Sequence, residues 1–378
     1  MKVLFASSFH YPAFAAPFKH GLITAREYAA LLKDNFLYLV LYDDAGKLAN
    51  IPHQSMAPRW LPLRRFRLIS LFFLFYSGWF FLTHPSWRGR EVIVLTQESK
   101  MAAVLLFWRT VFRFSVLYEC HGLHSPLTDR FVCKNADALV FVTKHMEDSA
   151  KARFGTLRKS TVIPNAVDRE PYVTALKETK PLLRASLGLP GDVYLVGYVG
   201  RFLALGVDKG INLGLDALAL LKDSSVHFCF VGGTEKEIEH FRKRAQELGV
   251  AERTIFVPYQ QEQSTLARYT VAMDALIYTP PPHKFFQEET SPMKLYEYMA
   301  ASRPILVADF PAIREMLSDQ EAFFLEPGSP QALASTITYV QEHPQEGDVR
   351  AQAADRLGFA NTWRARIERV LTYLSHER

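Results

Sequence analysis

Short runs that are apolar almost throughout recur along this chain, each separated from the next by a stretch of helical periodicity. The first series is Val3–Ala6, Phe36–Tyr42, Val92–Thr96, Ser115–Tyr118, Ala138–Val142 and Thr161–Ile163. The pattern restarts with Tyr194–Val199, Val226–Val231, Thr254–Val257, Ala275–Tyr278, Ile305–Ala308 and Ala322–Leu325. A strand with one wet face alternates polar and apolar residues, so runs without alternation belong to strands buried on both faces, as in a parallel sheet covered by helices. Two successive series of this kind predict two doubly wound, Rossmann-like α/β domains. The length of 378 residues agrees, because single cores stop growing near about 250–300 residues.

The Lys177–Pro190 stretch between the series is the expected junction. It places an N-terminal domain over residues 1–175, a second domain over 176–354, and a helix over about 355–378 that returns to the first. That last stretch carries Leu357, Trp363, Ile367, Val370, Leu371 and Leu374 at roughly helical spacing. Open α/β sheets bind ligands at the carboxyl ends of their strands, so two such domains facing a central cleft would hold the site in that cleft.

Charge divides unevenly between the halves. Through residue 170 there are 22 Lys+Arg against 13 Asp+Glu, and beyond it 22 against 26, or +9 against −4 within a total of +5. The first half is therefore expected to meet something anionic. Arg59, Arg64, Arg65, Arg67, Arg88 and Arg90 fall in a segment without an acidic residue, around the apolar run Leu68–Leu82. At about 1.5 Å per residue a helix of that length falls short of a hydrocarbon core of about 30 Å. It is expected to lie at an anionic membrane surface, with Arg64, Arg65 and Arg67 on lipid phosphates and Trp79 near the headgroups. A buried core helix with basic flanks is the alternative. No nucleic-acid motif accompanies the segment, so nucleic acid is not an expected partner. Cys120, Cys133 and Cys229 form no C-x-x-C pair, and their odd number points to a reducing cytosol rather than a disulfide framework. The apolar opening Met1–Ala6 breaks at Ser7 and reads as a strand rather than a signal peptide. The expected location is cytoplasmic and peripheral, at the inner face of the membrane.

The segment Glu289-Thr290-Ser291-Pro292-Met293-Lys294-Leu295-Tyr296-Glu297 carries the most chemical information. Ser291 fits an N-cap and Pro292 the first turn of a helix whose apolar stripe is Leu295, Tyr298 and Met299. The free amides from Thr290 to Met293 would then form an anion site. Glu289 stays in the loop beside it and Glu297 lies on the helix, where ionised carboxylates suit paired hydroxyls of a ribose or hexose. A second cluster follows the run Tyr194–Val199: Gly200-Arg201, then Lys209-Gly210, two cations suited to a diphosphate. Neither GxGxxG nor GxxxxGK[ST] occurs, which argues against dehydrogenase and P-loop chemistry. In the first half, His121 follows the run that begins at Ser115 and is placed to bond a sugar hydroxyl or an attacking acceptor. The histidines show no metal-ligand spacing, and neither a catalytic metal nor another cofactor is expected.

These residues resemble the retaining glycosyltransferases of family 4, group 1 proteins of the GT-B fold. The family's E-x7-E pattern is matched by Glu289 and Glu297 within Ser-Pro-x-Lys-x-x-Glu-Tyr-Met-Ala, followed by Arg303-Pro304. Gly200-Arg201, Lys209-Gly210, His121 and Asn165-Ala166-Val167-Asp168 are similar to further family features, and the resemblance runs from about Tyr118 to Glu326. The first β–α loop, Pro12–Pro17, lacks the glycine pair common among members. The resemblance implies that Arg201 and Lys209 hold the donor diphosphate and stabilise the leaving group. It also implies that Glu297 binds the ribose, that Glu289 contacts the donor sugar near the reacting carbon, and that transfer is metal-independent and retains configuration. The donor would be a nucleoside-diphosphate sugar and the acceptor a lipid-linked or cell-surface glycan, as in polysaccharide or lipopolysaccharide biosynthesis. A nucleotide-sugar epimerase and a degenerate module that only binds nucleotide sugar or glycan are the alternatives.

Overall fold

The computed structural model describes residues 1–11, 16–43, 46, 48–57, 68–204, 206–288 and 291–376. The chain divides into two compact units, Met1–Pro164 with Trp363–Arg378, and Asn165–Thr362.

In the first unit the strands β1 (Lys2–Ala6), β2 (Phe36–Val40), β3 (His53–Ser55), β4 (Val92–Thr96), β5 (Ser115–Cys120), β6 (Ala138–Phe141) and β7 (Ser160–Val162) form one sheet. Their order is β3-β2-β1-β4-β5-β6-β7, parallel at every pairing. This is the doubly wound arrangement, with the chain reversing direction across the sheet between β1 and β4. Helices α1 (Ala16–Leu32), α2 (Ile69–Thr83), α3 (Ser99–Phe112), α4 (Pro126–Asn135) and α5 (Lys144–Phe154) belong to it. Alternate residues of β1 show why the strands are apolar throughout. Leu4 and Ala6 join the core beneath α2–α5 with Phe73, Phe81, Leu105, Val132 and Met146. Val3 and Phe5 join the opposite core with Ala25 and Tyr28 of α1 and with Ile367 and Val370 near the C-terminus.

The second unit repeats the plan. Strands β8 (Tyr194–Val199), β9 (Val226–Gly233), β10 (Thr254–Pro258), β11 (Ala275–Tyr278), β12 (Ile305–Ala308) and β13 (Phe323–Leu325) lie in the order β10-β9-β8-β11-β12-β13, again all parallel. The helices are α6 (Glu170–Ala175), α7 (Lys180–Leu187), α8 (Ile211–Leu220), α9 (Glu235–Glu247), α10 (Gln263–Ala272), α11 (Lys284–Glu288), α12 (Met293–Ala300), α13 (Pro311–Arg314), α14 (Pro330–Glu342) and α15 (Pro344–Ala360). Here β8 is the strand buried on both sides, Leu195 and Val199 entering one core and Val196 and Tyr198 the other.

Three features differ from the expectations drawn from sequence. Strand β3, His53-Gln54-Ser55, has no apolar run because it is an edge strand held by backbone pairing to β2, with Ser55 exposed and half-buried Gln54 donating to Tyr76 Oη at 2.8 Å. The first crossing between units falls at Pro164/Asn165 rather than near residue 175, because Tyr172, Ala175 and Leu183 of α6 and α7 are buried in the second unit's core with Ala267 and Val271 of α10. The terminal helix is shorter than about 355–378. Helix α15 ends at Ala360 within the second unit, and α16 (Trp363–His376) begins afresh in the first. The break is held by Val167, whose N–H donates to Asn361 O at 3.1 Å and whose backbone bridges Thr362.

Helix α2 is buried on one face and exposed on the other. Phe73, Ser77, Gly78, Phe80 and Phe81 are buried, while Leu71, Phe75, Trp79 and Leu82 are exposed. Arg59, Arg64, Arg65 and Arg67 lie outside the described residues. Among the described residues no helix is long and apolar enough to cross a membrane.

Candidate donor and hydroxyl sites

In the second unit the chain reverses direction between β8 and β11, and the candidate cations cluster at the carboxyl end of β8. Gly200 follows β8 with φ 145°, and Gly232 at the end of β9 has φ 122°. A methyl group on Gly200 would strike the Lys294 ammonium, and one on Gly232 would strike the Gly200 carbonyl. Only glycine permits this backbone contact. Tyr198 Oη donates to Arg201 O at 2.7 Å, fixing the turn. The chain then runs out and back as a short antiparallel hairpin, Leu203–Ala204 against Val207–Asp208, which returns Lys209 N–H to Phe202 O at 2.9 Å. Two cations eight residues apart are thereby made neighbours.

Their proximity has an electrostatic signature. Desolvation, joined by the charge of Arg201, lowers the Lys209 ammonium to about 8. The Arg201 guanidinium is exposed, with its carbon 5.7 Å from the Tyr259 ring centroid. Two like charges drawn together, one of them partly dehydrated, are a site prepared for an anion. The Asp208 carboxylate accepts from the backbone N–H groups of Ile211 at 2.9 Å and Asn212 at 3.1 Å and so caps α8. An Asp just ahead of a helix start is a sequence signal that could have found this cap.

Helix α12 is joined to the same loop by two side chains one turn apart. Lys294 Nζ donates to Val199 O, and Val199 N–H donates to Tyr298 Oη at 3.0 Å. Lys294 is buried, with its ammonium 4.2 Å from the Tyr198 ring centroid. The two sequence motifs therefore meet at Val199, a junction that spacing could not reveal. Half-buried Glu297 is held from α10, where Gln263 Nε2 donates to Glu297 Oε1 at 3.2 Å and to Tyr172 Oη at 3.1 Å.

The expected cap at Ser291 is not present. Pro292 occupies the cap position of α12 without a side-chain bond. Ser291 instead receives Asn165, its Oγ accepting from the Asn165 N–H at 3.4 Å and its carbonyl from Asn165 Nδ2 at 2.7 Å. A distant partner has taken the hydroxyl that local pattern assigned to the helix. Glu289 and Thr290 lie outside the described residues, as does most of the first β–α loop.

In the first unit His121 follows β5 beside a buried charge network. Arg366 of α16 and Glu119 of β5 are both fully buried and meet through two contacts, Nη1 to Oε1 at 3.2 Å and Nη2 to Oε2 at 3.3 Å. Gln97 Nε2 donates to Glu119 Oε2 at 3.0 Å, and His121 Nε2 stands 3.7 Å from the same oxygen, beyond hydrogen-bond length. The His20 ring sits edge-on to His121, centroids 4.4 Å apart, and edge-on to Trp363 of α16 at 4.7 Å. Burial holds His121 below the ordinary imidazole value despite the nearby carboxylate, so its ring is neutral near pH 7 and can both donate and accept. Nothing local in the sequence pairs Arg366 with Glu119. Among the described residues no three His, Cys, Asp or Glu side chains group as metal ligands.

Two Rossmann-like units, each built on a parallel sheet, match the GT-B glycosyltransferase fold. Residues 179–356, most of the second unit, match the glycosyl transferases group 1 family. Over 199 residues the chain is 29% identical to the D-inositol 3-phosphate glycosyltransferase of Thermomonospora curvata, covering 50% of this chain and 44% of that one. Over 212 residues it is 27% identical to the putative teichuronic acid biosynthesis glycosyltransferase TuaC of Bacillus subtilis, covering 56% and 48%. The match thus spans about half the length of these curated relatives. Among solved structures, Anabaena Alr3699/HepE in complex with UDP superposes with a TM-score of 0.78 at 18% identity over all of both chains. The same Anabaena protein has also been solved with UDP-glucose.

Proposed function

We propose that this protein is a retaining, metal-independent glycosyltransferase of family 4 type. It moves a hexosyl group from a nucleoside-diphosphate sugar to a hydroxyl of a lipid-linked or cell-surface glycan. The pairing of Arg201 with Lys209 at the end of β8 carries the reading, because two fixed cations oppose the two phosphates of such a donor. The Anabaena structures with UDP and UDP-glucose support it at the level of fold.

In this reading Arg201 and Lys209 neutralise the diphosphate as its bond to the anomeric carbon breaks, the charge growing where cations already stand. The backbone N–H groups of Thr290, Ser291 and Met293 add donors to the phosphates, Pro292 having none to give. Glu297, oriented by Gln263, accepts from the ribose hydroxyls, and Glu289 contacts the sugar near the reacting carbon. His121, neutral and seated against Glu119, bonds a sugar or acceptor hydroxyl. The acceptor oxygen attacks from the face the diphosphate leaves. A departing phosphate oxygen takes the acceptor proton, so configuration is retained. The N-terminal unit serves the acceptor and the second unit the donor.

Calorimetric titration with UDP-, GDP- and ADP-sugars is expected to show saturable binding to at least one, and with a suitable acceptor NMR of the product should show the donor's anomeric configuration preserved. Absence of binding across the panel would sink the donor reading; an inverted product would sink retention. The lowered Lys209 adds a pH signature. Only the ammonium form attracts the diphosphate, so affinity falls as pH rises through about 8. Between pH 7 and pH 9 the loss should be about tenfold, and Lys209→Arg should abolish the dependence. A flat profile for the unmodified protein contradicts the assignment.

A further inference from the structure

Nine of the sixteen large apolar side chains exposed among the described residues lie between Leu68 and Phe131. They are ordered rather than scattered. On α2, Leu71, Phe75, Trp79 and Leu82 recur at helical spacing and line one face. Helix α3 adds Phe107 and Val111, and α4 adds Leu127 and Phe131. Exposure is substantial, 68% for Phe75 and 86% for Leu127.

The inner faces of the same helices meet in a single core through Phe73, Phe81, Leu105, Leu106 and Val132. Trp108 of α3 fills the space above Gly78 of α2 and donates Nε1–H to Leu74 O at 2.9 Å, and α3 also packs against α4. The three helices therefore make one layer over one face of the sheet, and their exposed side chains share its outer surface. Helix α5, next in the layer, shows the ordinary solvated alternative: exposed Lys144 pairs with Glu147 and Asp148, and Lys151 with Glu147.

The charge around the apolar face has one dominant sign. Arg90, Arg113, Arg130 and Lys134 are exposed. The acidic residues between Leu68 and Asn135 are Glu91, Glu98, Glu119 and Asp129. Of these Glu91 is exposed beside Arg90, Glu119 and Asp129 are buried, and Glu98 accepts from Ser8 N–H at 2.6 Å and Ser8 Oγ at 2.5 Å, so those four exposed cations outnumber the exposed acid. An aromatic, apolar surface bordered by cations complements the headgroup region of an anionic bilayer. A second copy of the chain fits less well, since it would set the same cations against one another.

We infer that the outer face of α2–α4 docks on an anionic phospholipid bilayer, with Phe75, Trp79, Phe107 and Phe131 entering the interface and the arginines meeting lipid phosphates. The surface lies in the first unit and is independent of the donor reading, so it is tested without nucleotide sugar. The full chain should float with phosphatidylglycerol vesicles and remain behind with phosphatidylcholine vesicles, and added salt should weaken the association. Brominated phosphatidylglycerol should quench tryptophan emission, and Trp79→Phe should remove most of that quenching. Phe75→Ser/Phe107→Ser removes two exposed rings and should lower the bound fraction at least about tenfold, with an unchanged thermal melt showing that the fold is intact. Failure to float at low salt overturns the inference, as does equal binding of the double variant. A dimer in solution that dissociates in the same variant would also overturn it, because a second copy would then cover the face.

Discussion

An Arg366→Met variant is expected to lose about 3–5 kcal/mol of stability, because it leaves a buried carboxylate without its cation. Arg366 is fully buried, donates Nε–H to Pro164 O at 3.0 Å, and spends its other two nitrogens on Glu119. Met fills much of the volume but supplies no charge, and Gln97 and His121 are too weak to replace it. The double variant Arg366→Met/Glu119→Gln should recover a good part of the loss, since the uncompensated charge is gone. Urea unfolding of the two variants and the parent decides the matter. A single variant within about 1 kcal/mol of the parent would show the pair to be a passive contact.

The same pair sets an acid limit. Burial alone would push the Glu119 carboxyl up, but Arg366, with help from His121 and His20, outweighs it and holds the group well below the usual carboxylate range. A carboxylate depressed in the folded state contributes stability above its unfolded pKa, near about 4.3. That contribution disappears as pH falls through the lower folded value. Acid unfolding of the first unit is thus expected below about pH 4, and Arg366→Met should move it to higher pH.

Arg201→Ala and Lys209→Ala are each expected to lower kcat by about 10²–10³ in the proposed reaction, with smaller changes in KM. Each removes positive charge from the place where the leaving diphosphate gathers its negative charge. The two effects should not add, because the groups are coupled: the charge of Arg201 helps depress Lys209. Arg201→Ala should consequently raise the Lys209 titration and move the pH-dependent loss of affinity upward by a measurable amount. Single-turnover rates with saturating donor, in the parent, both single variants and the double variant, supply the cycle. A loss under about threefold in either single variant would remove that residue from the leaving-group site.

How legible the molecule was depended on how local each feature is. Strands β8, β11 and β12 begin and end where the apolar runs do, because burial on both faces excludes polar residues from them. Strand β3 was invisible, since an edge strand needs only backbone pairing. Arg201 and Lys209 were recognisable as cations after a strand, yet the hairpin that joins them was not. Ser291 carried the right local signal for a cap and lost its hydroxyl to Asn165, 126 positions away. Tyr298 read as part of an apolar stripe, whereas its hydroxyl holds the end of β8. Arg366 lies 247 positions from Glu119 and gave no sign of it.

By itself the sequence determined two successive parallel α/β sheets and the kinds of residue standing at their strand ends, because periodicity and strand burial follow from backbone geometry within a few residues. Tertiary structure decided which distant partner claims each polar group, where one unit ends and the next begins, and which face of α2 is left uncovered. Those outcomes depend on competition among groups far apart in the chain, and no local pattern encodes the winner.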